Sequence, residues 1–168
     1  RHIVLPELLY SHVIEIDERI GAHGDVLQAP APARVRADFQ AAFDAGFRSL
    51  AIVLMHSHRY PQHERLLADI ARETGFTQVS VSHRVSPLMK LVGRGDTAVV
   101  DAYLSPILRR YVDQVAGELA GVPLFFMQSN GGLADARRFQ RKDSILSGPA
   151  GGIVGAVRTS IAAGFERI

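Results

Sequence analysis

The apolar run Ser49-Leu50-Ala51-Ile52-Val53-Leu54-Met55 stands between two stretches of helical periodicity and leaves few architectures open to this sequence. A run without alternation reads as a strand covered on both faces, as in a parallel sheet. Before it, Val35, Phe39, Ala42 and Phe43 share one stripe of a helix expected from Ala33 to Ala45 and ended by Gly46. After it, Leu66, Leu67, Ile70 and Ala71 form the inward stripe of a helix from about Gln62 to Thr74, followed by a short strand near Val79 to Val81. Alternation of this kind is α/β. Nearer the start, Val13-Ile14-Glu15-Ile16 alternates as a half-buried strand does, and Gly21 to Pro32 reads as a loop.

The Ser86 to Gly95 segment, with Pro87, Gly93 and Gly95, marks an internal boundary and predicts regions 1–86 and 87–168. Thr97 is expected to open a long helix reaching Gly121, in which Pro106 produces a kink or two abutting helices. Leu124 to Met127 reads as another buried strand, ending in Gln128-Ser129-Asn130-Gly131-Gly132. Polar and glycine residues at the carboxyl end of an α/β strand are a common ligand position, and a plain turn is the alternative. Ser129, Asn130, Gly131 and Gly132 are therefore candidate substrate-binding residues.

A second glycine cluster, Ser147-Gly148-Pro149-Ala150-Gly151-Gly152, stands before a small-residue helix. The first helical turn leaves amides unpaired at the positive end of the macrodipole, and glycine admits close approach of a phosphate or carboxylate. Pro149 suits the first helical position. Capping by Ser147 and helix packing by the glycines is the plainer reading of the same residues.

Composition excludes several classes. The chain has 168 residues, 47% hydrophobic and 21% charged, enough for a real core. No apolar run approaches the roughly 20 residues of a membrane span, so no membrane partner is expected. Zero cysteines exclude disulfides and thiolate chemistry and fit a reducing, cytoplasmic setting. Nineteen basic against 17 acidic residues give a net charge of +2. The basic residues are not interleaved with aromatics in one patch, so nucleic acid is not an expected partner.

Other polar residues carry weaker chemistry. His56 and His58, one residue apart at a strand end, point the same way, and His63 follows five residues on; together they are candidate metal ligands with an open position, against helix capping for His63. The fork of Arg94 matches a carboxylate such as a substrate's, against a structural ion pair. Asp101 is expected to pair with Arg94 or Arg109, against holding a cation or a substrate amine, and Arg109, Arg110 and Asp113 to form a solvated face. No side chain is assigned to catalysis.

Five blocks carry a family resemblance. These are Asp17-Glu18-Arg19; Pro61-Gln62-His63-Glu64; Arg94-Gly95-Asp96-Thr97-Ala98 continuing through Asp101-Ala102-Tyr103-Leu104-Ser105-Pro106 to Arg110-Tyr111-Val112; Met127 to Leu133; and Leu146 to Gly152. In order and spacing they resemble the hydantoinase A and oxoprolinase family, specifically its ATP-dependent 5-oxoprolinase branch. Gly93 departs from the proline of oxoprolinases and the glutamate of hydantoinases, and Asn130 resembles the bacterial or hydantoinase form. The resemblance implies an actin, sugar-kinase and Hsp70-like nucleotide fold, with 5-oxo-L-proline hydrolysed to L-glutamate at the expense of ATP. It also implies Mg2+, a potassium-like cation, a small cyclic amide as substrate, and a hydantoinase B-like subunit or domain as partner. N-methylhydantoinase and acetone-carboxylase-type subunits are the alternatives within the family. A non-catalytic α/β interaction module is the alternative outside it.

The family's two Asp-x-Gly-Gly-Thr phosphate loops are absent from the 168 residues. With Arg1 in place of an initiator methionine, the expectation is an internal fragment of a longer chain. Such a fragment binds ATP weakly or not at all and turns over nothing.

Overall fold

A computed structural model describes residues 7–119, 121–136 and 144–167. The chain is mixed α/β and divides into two compact units, 1–106 and 107–168. Among the described residues the first unit contains β1 (Arg19–Ile20), β2 (Val26–Gln28), α1 (Pro32–Asp44), β3 (Ser49–Ile52), α2 (Gln62–Thr74), β4 (Gln78–Val81) and the short α3 (Ser82–Val85). The helix α4 (Leu91–Glu118) starts in the first unit and ends in the second, which also holds β5 (Phe125–Met127), β6 (Leu133–Asp135) and α5 (Ser147–Ala162).

In the first unit β3 and β4 run parallel, with Ser49 opposite Gln78 and Ile52 opposite Val81. Helices α1 and α2 cover one face. Val35, Phe39 and Ala42 of α1 meet Leu67, Ala68, Ile70 and Ala71 of α2, Ile52 and Val81 of the strands, and Phe76. Phe76 receives Phe39 and Phe43 edge-on at 6.1 and 5.7 Å. Pro32 begins α1 where its missing N–H costs nothing. Gly75 ends α2 at φ 113°, and a side chain there would also meet the Phe43 ring at 3.1 Å. On the opposite face of the strands, Ser80 donates to Asp101 of α4 at 2.6 Å.

Several expectations change. The strand expected through Met55 stops at Ile52, because side chains take the backbone groups that would extend it: Leu54 N–H donates to Glu64, and the carbonyls of Leu54 and Met55 accept from Arg94. On α2, Leu66 is 38% exposed while Glu64 is fully buried. The apolar pattern thus misplaced the edge of the inward face. Val13 to Ile16 joins no ladder, although Ile14 and Ile16 pack on the core. The expected loop from Gly21 to Pro32 contains β2, paired antiparallel with β1.

The long helix opens at Leu91 rather than Thr97, so Gly93 and Gly95 lie inside it. The β-carbon position of Gly95 is 3.5 Å from Val53, so a small residue lets α4 come close to the end of β3. Pro106 sits within one continuous helix, at the division between the two units.

In the second unit β5 and β6 form an antiparallel hairpin, with Met127 opposite Leu133. Phe125 is 57% exposed, so β5 is not the buried strand that its composition indicated. Helix α5 has no buried residue.

Candidate functional site

Two groups of polar residues are organised, one in each unit. In the second unit, Gln128 to Gly132 is the turn of the β5–β6 hairpin rather than the open end of a parallel strand. Gly131 N–H donates to Gln128 O at 3.0 Å, Gln128 N–H to Gly132 O at 2.8 Å, and Gly132 N–H to Asn130 Oδ1 at 2.8 Å. Gly131 takes φ 80°, a conformation glycine adopts freely. The turn lies against the start of α5. Leu146 N–H donates to Ser129 Oγ at 3.0 Å, the β-carbon position of Gly131 is 3.1 Å from Val154, and that of Gly151 is 3.6 Å from Met127. The two glycine clusters, 14 residues apart between Gly132 and Leu146 in the sequence, therefore meet in space.

Ser147 is the first residue of α5 and Pro149 the third, with Leu146 as N-cap and no side chain capping the helix. Ser147 and Gly148 carry the first backbone amides of α5, at the positive end of its dipole. Among the described residues a β-carbon at Gly148 or Gly152 would meet nothing within 4 Å.

In the first unit, the parallel register brings the carboxyl ends of β3 and β4 side by side. Glu64, in the first turn of α2, reaches across both. Its Oε1 accepts from Leu54 N–H at 2.9 Å, Ser57 Oγ at 2.7 Å and Ser82 Oγ at 2.5 Å; its Oε2 accepts from His83 N–H at 3.0 Å and His83 Nδ1 at 2.7 Å. Arg94 approaches from α4. Its Nη1 donates to Leu54 O at 3.1 Å, to Ser82 Oγ at 2.7 Å and to Ser57 Oγ, and its Nη2 donates to the carbonyls of Leu54 at 3.0 Å and Met55 at 2.9 Å. Arg94 is fully buried, so its fork holds the loop after β3 and the start of α3. Burial pulls its guanidinium below its usual value, and Glu64 opposes that shift. Asp101 accepts from Ser80 and Ser105.

The three histidines of the candidate metal site do not converge, and two of them have partners of their own. His56 Nδ1 lies 2.7 Å from Ile20 O, and His63 Nδ1 lies 2.6 Å from Glu18 Oε1, joining two of the family-like blocks. The His56 and His58 rings are 6.4 Å apart. Among the described residues no group of three or more His, Asp or Glu is arranged to hold a metal. His58 Nδ1 and Arg94 Nε are buried without a hydrogen-bond partner. Burial first, then the charges of Arg94, His56 and Arg59, hold the His58 imidazole below its ordinary value.

Beside this lattice is a cavity of about 350 Å3 lined by Met55, His56, His58, Arg59, Tyr60 and Met89, among others. A larger one, about 970 Å3, lies between the 9–17 segment, β3 and the start of α4. Sequence reasoning missed Ser57, Ser82 and His83. The available signal was a glutamate on an otherwise inward helix face, which needs several donors, with serines following both strands.

Comparison with known proteins agrees with these blocks. Residues 1–75 match the hydantoinase/oxoprolinase N-terminal region and residues 94–168 match hydantoinase/oxoprolinase. A 5-oxoprolinase of Saccharomyces cerevisiae is 37% identical over 88% of this chain and 14% of its own length. The 5-oxoprolinase 1 of Arabidopsis thaliana is 38% identical over 94% of this chain and 14% of its own. The crystal structure of an ATP-dependent caprolactamase from Pseudomonas jessenii superposes with a TM-score of 0.81 at 28% identity, over 90% of this chain and 23% of that one. The chain thus spans about one seventh of the length of these curated relatives, and it belongs to the hydantoinase/oxoprolinase family.

Proposed function

We propose that the chain is a segment of a longer ATP-dependent cyclic-amide hydrolase of the 5-oxoprolinase type, converting 5-oxo-L-proline, ATP and water to L-glutamate, ADP and phosphate. The observation that carries this reading is the 37–38% identity to named 5-oxoprolinases across about nine tenths of the chain. The likeness to an ATP-dependent caprolactamase supports the same class, since a lactam is a cyclic amide.

A lactam is a poor electrophile with a poor leaving group, and ATP supplies the phosphoryl group that makes its carbonyl carbon attackable by water. The start of α5 fits one part of that task. Ser147 and Gly148 lie at the positive end of the α5 dipole, and Gly148 and Gly152 carry no side chain that would hinder a phosphate there. The hairpin turn at Ser129 to Gly132 holds that helix start in place through Leu146 and Val154. In the first unit, Glu64 and Arg94 fix the loop after β3 and so set where His56 to Tyr60 stand. In this reading, regions 1–86 and 87–168 belong to an actin, sugar-kinase and Hsp70-like nucleotide fold completed by residues outside this chain. Among the described residues no group of three or more His, Asp or Glu is placed to hold a metal ion, and the part these residues play is to bind and orient.

The test is product analysis with the longer polypeptide that carries this chain. Glutamate appearing from 5-oxo-L-proline in step with ADP is the expected result. Faster opening of hydantoin, or ATP-driven carboxylation of a ketone with no glutamate formed, would replace this reading by one of the family's other reactions.

A further inference from the structure

We infer that the small cavity at the carboxyl end of β3 binds a compact ring bearing a carboxylate, with Arg59 meeting the carboxylate and His56 and His58 facing the ring amide. The inference deepens the proposed function, on which its choice of ligand rests. Four observations support it.

The first is position. In open α/β sheets ligands gather beyond the carboxyl ends of the strands, and this cavity follows β3, whose end is level with that of β4. The second is size and lining. About 350 Å3 lies at the low end of ligand pockets, roughly 300–1,000 Å3, and Met55, Met89 and Leu91 give it apolar walls suited to a ring.

The third is charge. No acidic residue lines the cavity, while His56, His58 and Arg59 do. Among the described residues no carboxylate lies within ion-pair distance of Arg59, whose guanidinium instead stands 5.5 Å from the Tyr60 ring centre. An Arg fork without a partner at the rim of an acid-free pocket matches a carboxylate with two oxygens.

The fourth is fixed geometry. The His56 ring is oriented by Ile20 O, and the loop carrying all three side chains is pinned at Leu54, Met55 and Ser57 by Glu64 and Arg94. Nδ1 of His56 donates to that carbonyl, so the other ring nitrogen is the one left for a ligand. His58 adds a second imidazole to the lining, its titration lowered by burial and by the charges around it.

The experiment follows the imidazole resonances of His56 and His58 in the 168-residue chain, assigned with His56→Gln and His58→Gln. The chain is titrated separately with 5-oxo-L-proline, with 2-pyrrolidinone (the ring without the carboxylate) and with acetate and inorganic phosphate (anions without the ring). Saturable shifts with 5-oxo-L-proline, at least tenfold weaker with the other three and at least tenfold weaker in Arg59→Gln, are expected. Arg59 is exposed, so its variant retains the fold, which its urea midpoint checks. No shift with 5-oxo-L-proline, or equal shifts with 2-pyrrolidinone or with the simple anions, overturns the inference. So does binding unchanged in Arg59→Gln.

Failure here and failure of the proposed reaction are distinguishable. If the longer polypeptide makes glutamate with an unchanged KM in Arg59→Gln, the reaction stands and the cavity assignment falls. If the chain binds 5-oxo-L-proline through Arg59 while the longer polypeptide makes no glutamate, the binding site stands and the reaction falls.

Discussion

Glu64 and Arg94 face each other at 3.9 Å inside the first unit, both fully buried, and the hydroxyls of Ser57 and Ser82 stand between them. The pair is therefore less a direct salt bridge than a charged clamp on two strand ends. Isolated charges at that depth would be costly, and here Glu64 accepts hydrogen bonds from backbone N–H and hydroxyl groups while Arg94 donates to carbonyls and the same hydroxyls.

Removing one charge strands the other. Glu64→Ala leaves Arg94 buried without its counter-charge and frees the donors at Leu54, Ser57, Ser82 and His83. The expected loss is about 3–5 kcal/mol in urea unfolding. The double variant Glu64→Ala with Arg94→Ala is expected to lose less than the sum of the two singles, because the two residues share partners. Additive losses would show that the two act independently.

His58 makes the stability of the chain pH-dependent with a defined sign. Its folded value lies below the ordinary 6.5, so the unfolded chain takes up this proton more readily than the folded one. This contribution is complete above about pH 6.5 and is lost as pH falls from there toward the folded value. Urea midpoints measured from about pH 8 to pH 5 should decline less steeply in His58→Gln than in the parent chain. Parallel curves would remove the effect.

Much of the first unit was legible because its helices obey simple periodicity. Val35, Phe39 and Ala42 at their helical spacing, the Gly46 terminus and the β3 run all follow from local chemistry. What was hidden is what depends on contacts between distant residues. The end of β3 is decided by Glu64 and Arg94, which lie 10 and 40 positions from Leu54. The Gln128 to Gly132 segment has the residues of a turn and of a ligand loop alike, and only its pairing with Leu133 to Asp135 shows the hairpin. Val13 to Ile16 has the alternation of a strand, yet hydrogen-bond pairing is a property of two segments and not of one.

The correction at α2 is directly measurable. Leu67 is 1% exposed in the core, whereas Leu66 is 38% exposed. Leu67→Ala is expected to cost about 2–5 kcal/mol through lost burial and the cavity left behind, and Leu66→Ala under about 1 kcal/mol. Equal costs would restore the inward stripe that apolar spacing alone indicates.

Gly131 reports whether the turn and α5 are tied together as described. At φ 80° a β-carbon costs about 1–2 kcal/mol by itself, and it would also press on Val154 at 3.1 Å. Gly131→Ala should therefore destabilise the second unit, and adding Val154→Ala should recover only the steric part. Full recovery would mean that the backbone conformation carries no strain; no recovery would mean that the turn does not rest on α5.

Nucleotide binding separates what the chain contains from what a longer protein supplies. The start of α5 offers the positive end of a helix dipole, but no Asp-x-Gly-Gly-Thr loop is present, and a phosphate held by one helix terminus alone competes poorly with water. Calorimetry of the 168-residue chain with MgATP is expected to show no saturable heat, whereas the longer polypeptide binds. Micromolar affinity in the short chain would show that Ser147 to Gly152, with the hairpin turn behind it, forms a nucleotide site without the missing loops.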